Sequence, residues 1–168
     1  MNKIYLITGP AGVGKSTVSN LLAESLTKSV LIEGDTIYHL VVGGYVAPWQ
    51  NGNHLKFFFK NVISLIKNSL EEGYDVVYNH IITEDQVELI KQTFKSAQIK
   101  FVCLMVDEQT IVSRDKLRPL DCQMGERSLV LLNEFKNEKY VQKYILNSSN
   151  LTAEQTYKKI VSDDKFNL

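Results

Sequence analysis

The residues Ile4-Tyr5-Leu6-Ile7-Thr8-Gly9-Pro10-Ala11-Gly12-Val13-Gly14-Lys15-Ser16 decide how the rest of the chain is read. An apolar run too short for a helix leads into the spacing G-x-x-x-x-G-K-[ST]. After it, Val18, Leu21, Leu22 and Leu26 recur at helical spacing. Strand, glycine loop and helix in that order are the setting in which this spacing forms a phosphate cradle.

Each residue type has its reason. Gly9, Gly12 and Gly14 permit a tight turn whose backbone N–H groups point inward, with Pro10, Ala11 and Val13 filling the loop between them. The helix that starts at Lys15 adds the positive end of its dipole. Lys15 is a point charge for the β- and γ-phosphates. Ser16 offers a hydroxyl to Mg2+, a hard cation that keeps several waters and takes few protein ligands, and Thr17 follows in the same turn. The expected ligand is a nucleoside triphosphate, ATP, with Mg2+.

At 168 residues the chain is expected to form one domain, residues 1–168, with a sizeable core. Nineteen basic and nineteen acidic residues cancel, which argues against nucleic acid as a partner. Two cysteines, Cys103 and Cys122, make neither a disulfide framework nor a zinc pattern, so a reducing, cytoplasmic setting is expected. The run Ile4 to Ile7 is too short for a signal peptide, and no stretch approaches the length of a membrane span.

Beyond the loop, helix one is expected from about Lys15 to Thr27. Val30-Leu31-Ile32 reads as a buried strand ending at Glu33-Gly34-Asp35, with a helix through Tyr38 and His39. Residues 43–53 read as loop. Leu55, Phe58, Phe59, Val62, Ile63, Ile66 and Leu70 mark a long helix closed by Gly73. Asp75 to Asn79 and Lys100 to Val106 are strands three and four, and Tyr144 to Leu146 is the fifth. Thr83 with Gln86, and Thr152 with Gln155, are capping-box signatures; Asp107 is a natural N-cap; Met124 to Phe135 reads as a helix. This alternation predicts an α/β fold of three layers: a five-stranded parallel sheet with helices on both faces and the ligand at the strands' carboxyl ends. The strand-end residues facing that ligand are then 8–16, 33–35, Asn79 and His80, Asp107, and 147–150.

Two features there fit phosphoryl transfer. Asp35, at a strand end, suits accepting the proton of an attacking hydroxyl or holding magnesium through water; the plainer alternative is an N-cap, since Gly34-Asp35-Thr36 precedes a possible helix through Tyr38 and His39. All three arginines, Arg114, Arg118 and Arg127, fall in one short segment. On a flap over the site they would neutralise the transferring group and exclude water; the plainer alternative is surface pairing with Asp115, Asp121 and Glu126.

With loop, Asp35 and arginine segment in that order, the chain resembles the P-loop small-molecule and nucleotide kinases, the group of shikimate kinase, gluconate kinase, adenylate kinase and chloramphenicol phosphotransferase. The resemblance implies a P-loop NTPase fold with a short arginine-bearing lid at about 114–127. It implies that Asp35 is the acceptor-side aspartate and that the loop 147–150, Ser149 included, lies beside the adenine. It also implies that the acceptor is recognised after Asp35, where Tyr38, His39, Tyr45, Trp49, Asn51, Asn53, His54 and Phe57 to Phe59 are available. Phe58 and Phe59 match the helix stripe and read as core; Trp49 reads as a site wall or a packed loop residue. One departure stands out: Asn79 occupies the end of strand three, where many such kinases carry an acid. Its amide can orient a metal-bound water or a substrate hydroxyl, but it cannot act as a base.

The principal reading is an ATP-dependent kinase of a small hydroxyl compound: a sugar acid, a shikimate-like molecule, a nucleoside or an antibiotic. A competing one takes Asp107-Glu108 after strand four as the acidic pair of an ATPase or switch protein. A third is a nucleotide-binding regulator without turnover.

Overall fold

The computed structural model describes residues 2–48, 50, 52–120 and 123–168. Five strands form one parallel sheet in the order β2-β3-β1-β4-β5. They are β1 (Lys3–Thr8), β2 (Ser29–Glu33), β3 (Asp75–Asn79), β4 (Gln98–Met105) and β5 (Ile145–Asn147). The helices are α1 (Lys15–Ser25), α2 (Gly34–Tyr38), α3 (His54–Glu71), α4 (Glu84–Thr93), α5 (Glu108–Lys116), α6 (Glu126–Asn137) and α7 (Ala153–Ser162). Short 3-10 turns at Lys139–Tyr144 and Asp164–Phe166 lead into β5 and end the chain.

The central strand explains the unbroken apolar run at the start of the sequence. β1 is flanked by β3 and β4 and covered on both faces, so Ile4, Tyr5, Leu6 and Ile7 are all fully buried. They belong to a hydrophobic cluster with Phe58, Phe59, Val62 and Ile66 of α3 and Val76 to Tyr78 of β3. The stripe of α3 holds with one exception: Leu55, in its first turn, is exposed. Both capping boxes form, at Thr83/Gln86 and Thr152/Gln155.

Boundaries move where side chains intervene. α1 stops at Ser25 rather than Thr27, because the hydroxyls of Ser25 and Ser29 take the carbonyls of Leu22 and Ala23. β4 begins two residues early, at Gln98, because Gln98 pairs with Lys3 of β1. Lys100 is buried within it, its ammonium capping α7 by donating to the carbonyls of Ile160, Val161 and Asp163. Among the described residues no helix is long and apolar enough to cross a membrane.

The order β2-β3-β1-β4-β5 puts the carboxyl ends of β2, β3 and β1 side by side, with β4 beyond. The loops and helix starts that leave these strand ends therefore meet above one edge of the sheet.

Candidate active site

The loop from Gly9 to Gly14 enters α1 with all three glycines at positive φ. At Gly9 a side chain is also excluded by space, since a Cβ would fall 2.3 Å from the Leu104 carbonyl oxygen of β4. Pro10 and Val13 are buried, Ala11 is half-buried, and Ser16 and Thr17 are exposed in the first turn of α1. Lys15 folds back over the loop, its Nζ donating to the Gly9 carbonyl at 2.9 Å and the Pro10 carbonyl at 3.0 Å. Burial pushes its pKa down to about 8, against the pull of Asp35 and Glu33. The loop thus holds one desolvated cation against the Gly9 and Pro10 carbonyls, a charge suited to phosphate oxygens.

The hydroxyl of Ser16 sits in a small polar cluster. The Asn79 amide donates to Ser16 Oγ at 3.1 Å and to Glu33 Oε2 at 2.9 Å, and Ser16 Oγ donates to the same carboxylate at 3.4 Å. Glu33 is the residue that sequence reasoning passed over. It was visible as a strand end, but its partner is set by register: the last residue of β2 lies opposite Asn79, the last of β3. The carboxylate that Asn79 does not supply thus stands one strand over, held by the Asn79 amide itself. Hydroxyl plus carboxylate at a helix N-terminus is an oxygen donor set that suits Mg2+.

Asp35, expected to share the metal with Ser16 or to cap a helix, is engaged elsewhere. Glu33 holds the N-cap position of α2, and Asp35 lies in the first turn with its Oδ1 3.4 Å from His80 Nδ1. The hydrogen bond from His80 keeps its carboxyl below the usual carboxylate range, while the side chain stays 84% exposed. His80 is well fixed: its backbone N–H donates to the Ile7 carbonyl, and its ring rests 4.9 Å from that of Phe58. Gly34 makes room for this ring. A Cβ there would fall 2.5 Å from His80 Cγ and Nδ1.

The arginines divide. Arg114 Nη1 donates to the Val13 carbonyl at 2.7 Å, bracing the loop from behind, and Gly14 lies against the same guanidinium. Arg118 lies 3.5 Å from Asp115, close enough to Lys15 for its charge to help depress that pKa. Arg127 is exposed in the first turn of α6. Asp115 is more than a surface partner. It is buried, and its carboxylate accepts the backbone N–H groups of Met124 at 3.1 Å and Gly125 at 2.8 Å, tying the two ends of the α5–α6 connection together. Asp121 lies outside the described residues.

The Asp107-Glu108 pair turns away from the phosphate loop. Asp107 caps α5 by accepting the Thr110 N–H at 2.7 Å, and Glu108 pairs with Lys136 of α6 at 2.9 Å. Ser149 Oγ accepts the Asp107 N–H at 2.8 Å and donates to Asn147 Oδ1 at 2.8 Å, so its hydroxyl joins the two loops. A groove of about 710 Å³ runs from Asp107 and Glu108 to Lys136 and Asn147 without touching the phosphate loop.

After Asp35, Tyr38 is the hub of an aromatic group, meeting Tyr45, His54 and Phe58 at centroid distances of 5.7, 6.1 and 5.5 Å. Its hydroxyl donates to the Val46 carbonyl. Phe58 and Phe59 are buried, as the helix stripe requires. Trp49 and Asn51 lie outside the described residues.

Comparison with known proteins agrees with this geometry. Residues 6–142 match the family described as AAA domain. The tunicamycin resistance protein of Deinococcus radiodurans is 19% identical with a TM-score of 0.70, covering 96% of this chain and 94% of that one. A gluconokinase from Sinorhizobium meliloti 1021 is 16% identical with a TM-score of 0.64, over 95% and 89% of the two chains. The shikimate kinase of Bacteroides thetaiotaomicron is 18% identical with a TM-score of 0.61, over 95% and 94%. The fold is therefore the one these three proteins share, that of the P-loop NTPase kinases. No curated protein matches the sequence.

Proposed function

This chain belongs to the AAA domain family of P-loop proteins, and on that footing we propose that it is an ATP-dependent phosphotransferase, moving the γ-phosphoryl group to a hydroxyl of a small molecule. The observation that carries the reading is Asp35. It is an exposed carboxylate oriented by a fixed histidine, within electrostatic reach of the phosphate-loop lysine and without a structural job in its own helix.

The roles follow from placement. The loop amides and Lys15 bind the triphosphate and meet charge that builds on the transferring group. Ser16 would hold Mg2+ directly and Glu33 through water, with Asn79 orienting both. When bound, the metal neutralises phosphate charge. Asp35, kept ionised by His80, accepts the proton of the acceptor hydroxyl as that oxygen attacks the γ-phosphorus and ADP leaves. Arg114 and Arg118 supply guanidinium charge from the α5 side, and Arg127 joins them if the 114–127 segment folds down as a lid. The residues after Asp35 bind the acceptor: Tyr45 and His54 in the described part, with Trp49 proposed beside them. The segment 147–150 lies near the base.

The ATPase reading has less support, because Glu108 is paired with Lys136 and Asp107 is used as a helix cap. The test is ATP consumption by the full chain with Mg2+ and a panel of sugars and sugar acids, shikimate, nucleosides and hydroxylated antibiotics. At least one acceptor is expected to raise ADP formation well above the acceptor-free rate and to emerge phosphorylated. Acceptor-free hydrolysis equal to the best panel rate would overturn the proposal.

A further inference from the structure

Charge is divided unevenly across this site. Between Lys28 and Lys56, and again between Lys67 and Lys91, the chain has no lysine or arginine. Those two stretches hold the ends of β2 and β3, all of α2 and the approach to α3, which is the whole acceptor side of the site. The ionic groups at these strand ends are the carboxylates of Glu33 and Asp35; the polar groups include Asn79, Asn53, the Tyr38 and Tyr45 hydroxyls and the histidines His39, His54 and His80. The arginines stand on the opposite side, at α5 and the start of α6. Lys56 and Lys60 do not reach in from α3: each is two residues from the buried Phe58, hence on the far face of the helix, and both are exposed.

What faces the acceptor instead is aromatic and aliphatic. A row of rings runs from Tyr45 through Tyr38 and Phe58 to His80, which holds Asp35. The space enclosed among Ile37, Tyr38, Val46, His54 and Phe58 is about 20 Å³, room for one water, so the row is a packed wall rather than a hole. Its outer surface is left open: Tyr45 and Phe57 are about half exposed, and Leu40 and Val42 more so. Behind them His54 Nε2 is buried with no hydrogen-bond partner among the described residues, a polar atom that one bridging water satisfies.

An acceptor carrying a carboxylate or phosphate would bring like charge toward Glu33 and Asp35 with no guanidinium fork to receive it. A flat or apolar ring bearing a hydroxyl meets a matching wall, while its hydroxyl reaches Asp35. We infer, building on the kinase reading above, that the acceptor is an uncharged hydroxyl compound with a ring system that rests on the exposed rings of Tyr45 and Phe57, which the buried Tyr38 and Phe58 back, and that anionic acceptors are rejected.

The experiment uses pairs that differ in charge and keep their hydroxyls, with the full chain, Mg2+ and ATP: uridine and orotidine, methyl shikimate and shikimate, methyl glucuronate and glucuronate. The best acceptor is expected to be an uncharged ring compound, with kcat/KM at least 100-fold above its anionic counterpart. Tyr45→Ala and Phe57→Ala, both at exposed positions, are expected to raise its KM at least tenfold with kcat changed less than threefold. Tyr45→Arg is expected to narrow the discrimination at least tenfold. Equilibrium binding of the same pair to the nucleotide-free protein should show the same preference. An anionic member as the best acceptor, or KM unmoved in both alanine variants, would overturn the inference and leave the kinase reading standing. No acceptor above the acceptor-free rate would remove that reading and this inference with it.

Discussion

Replacing Gly34 by alanine tests whether the Asp35 carboxylate is positioned by His80. The new Cβ would lie 2.5 Å from two atoms of the imidazole and 2.7 Å from its Cβ. Carbon contacts settle near 3.5–4.0 Å, so the ring must retreat by about 1 Å. It has little room, backed by Phe58 at 4.9 Å and Tyr78 at 6.3 Å. Overpacking of this kind costs about 1–3 kcal/mol, which for a chain of this size lowers Tm by about 2–12 °C. The 3.4 Å contact to Asp35 opens at the same time, and a misplacement of about 1 Å can lower kcat/KM about 100-fold. Nucleotide affinity should hold, because the phosphate loop is built on β1 and α1. The decisive measurement is a double-mutant cycle by thermal denaturation. With His80→Gly all three of those atoms are gone, and Gly34→Ala should then cost nothing or stabilise slightly through helix propensity, a coupling of about 1–3 kcal/mol. If the loss of Tm persists undiminished in the His80→Gly background, the steric argument fails. If Gly34→Ala alone leaves both Tm and kcat/KM unchanged, so does the positioning of Asp35.

Three further outcomes are expected. Glu33→Gln should raise the Mg2+ concentration needed for half-maximal nucleotide binding about tenfold while binding without metal stays the same, read by titration calorimetry; an unchanged Mg2+ dependence would remove Glu33 from the metal site. Lys15, with its pKa near 8 in the free protein, must be protonated to pair with phosphate. Triphosphate binding raises that pKa, so affinity is at its full value below pH 8 and falls as pH rises through it. The loss is about tenfold between pH 7 and 9, with proton uptake that differs between buffers of unlike ionisation enthalpy, and a flat profile would refute it. Asp115→Ala releases the backbone N–H groups of Met124 and Gly125, and is expected to lower kcat at least tenfold with ATP affinity kept, and to speed tryptic cleavage within 116–127. Equal cleavage rates would show that Asp115 does not tie this connection.

Much of the molecule was legible before any coordinates, for reasons that are local. The phosphate loop is contiguous, and its glycines, Lys15 and Ser16 act on atoms a few residues away. The capping boxes at Thr83/Gln86 and Thr152/Gln155 and the Asp107 cap close within one helical turn. The apolar stripe of α3 is likewise written at fixed spacing, and its one misreading, Leu55, falls where the helix begins and the wall of the core has not yet started.

The groups that give the site its chemistry belong to another kind of information. That Asn79 bridges Glu33 to Ser16 depends on β2 lying beside β3 and β3 beside β1, in a particular register. That His80 holds Asp35, and needs a glycine before it, depends on the same adjacency. The sequence by itself determined a phosphate loop on a parallel α/β sheet, with one carboxylate and every arginine on segments that come after strand ends. Only the tertiary structure decided which carboxylate meets the Ser16 hydroxyl, which meets His80, and that Glu108 meets neither. The physical reason is that hydrogen bonds within a turn are set by spacing along the chain, whereas those between strand ends are set by strand order and register, which depend on the packing of the whole core.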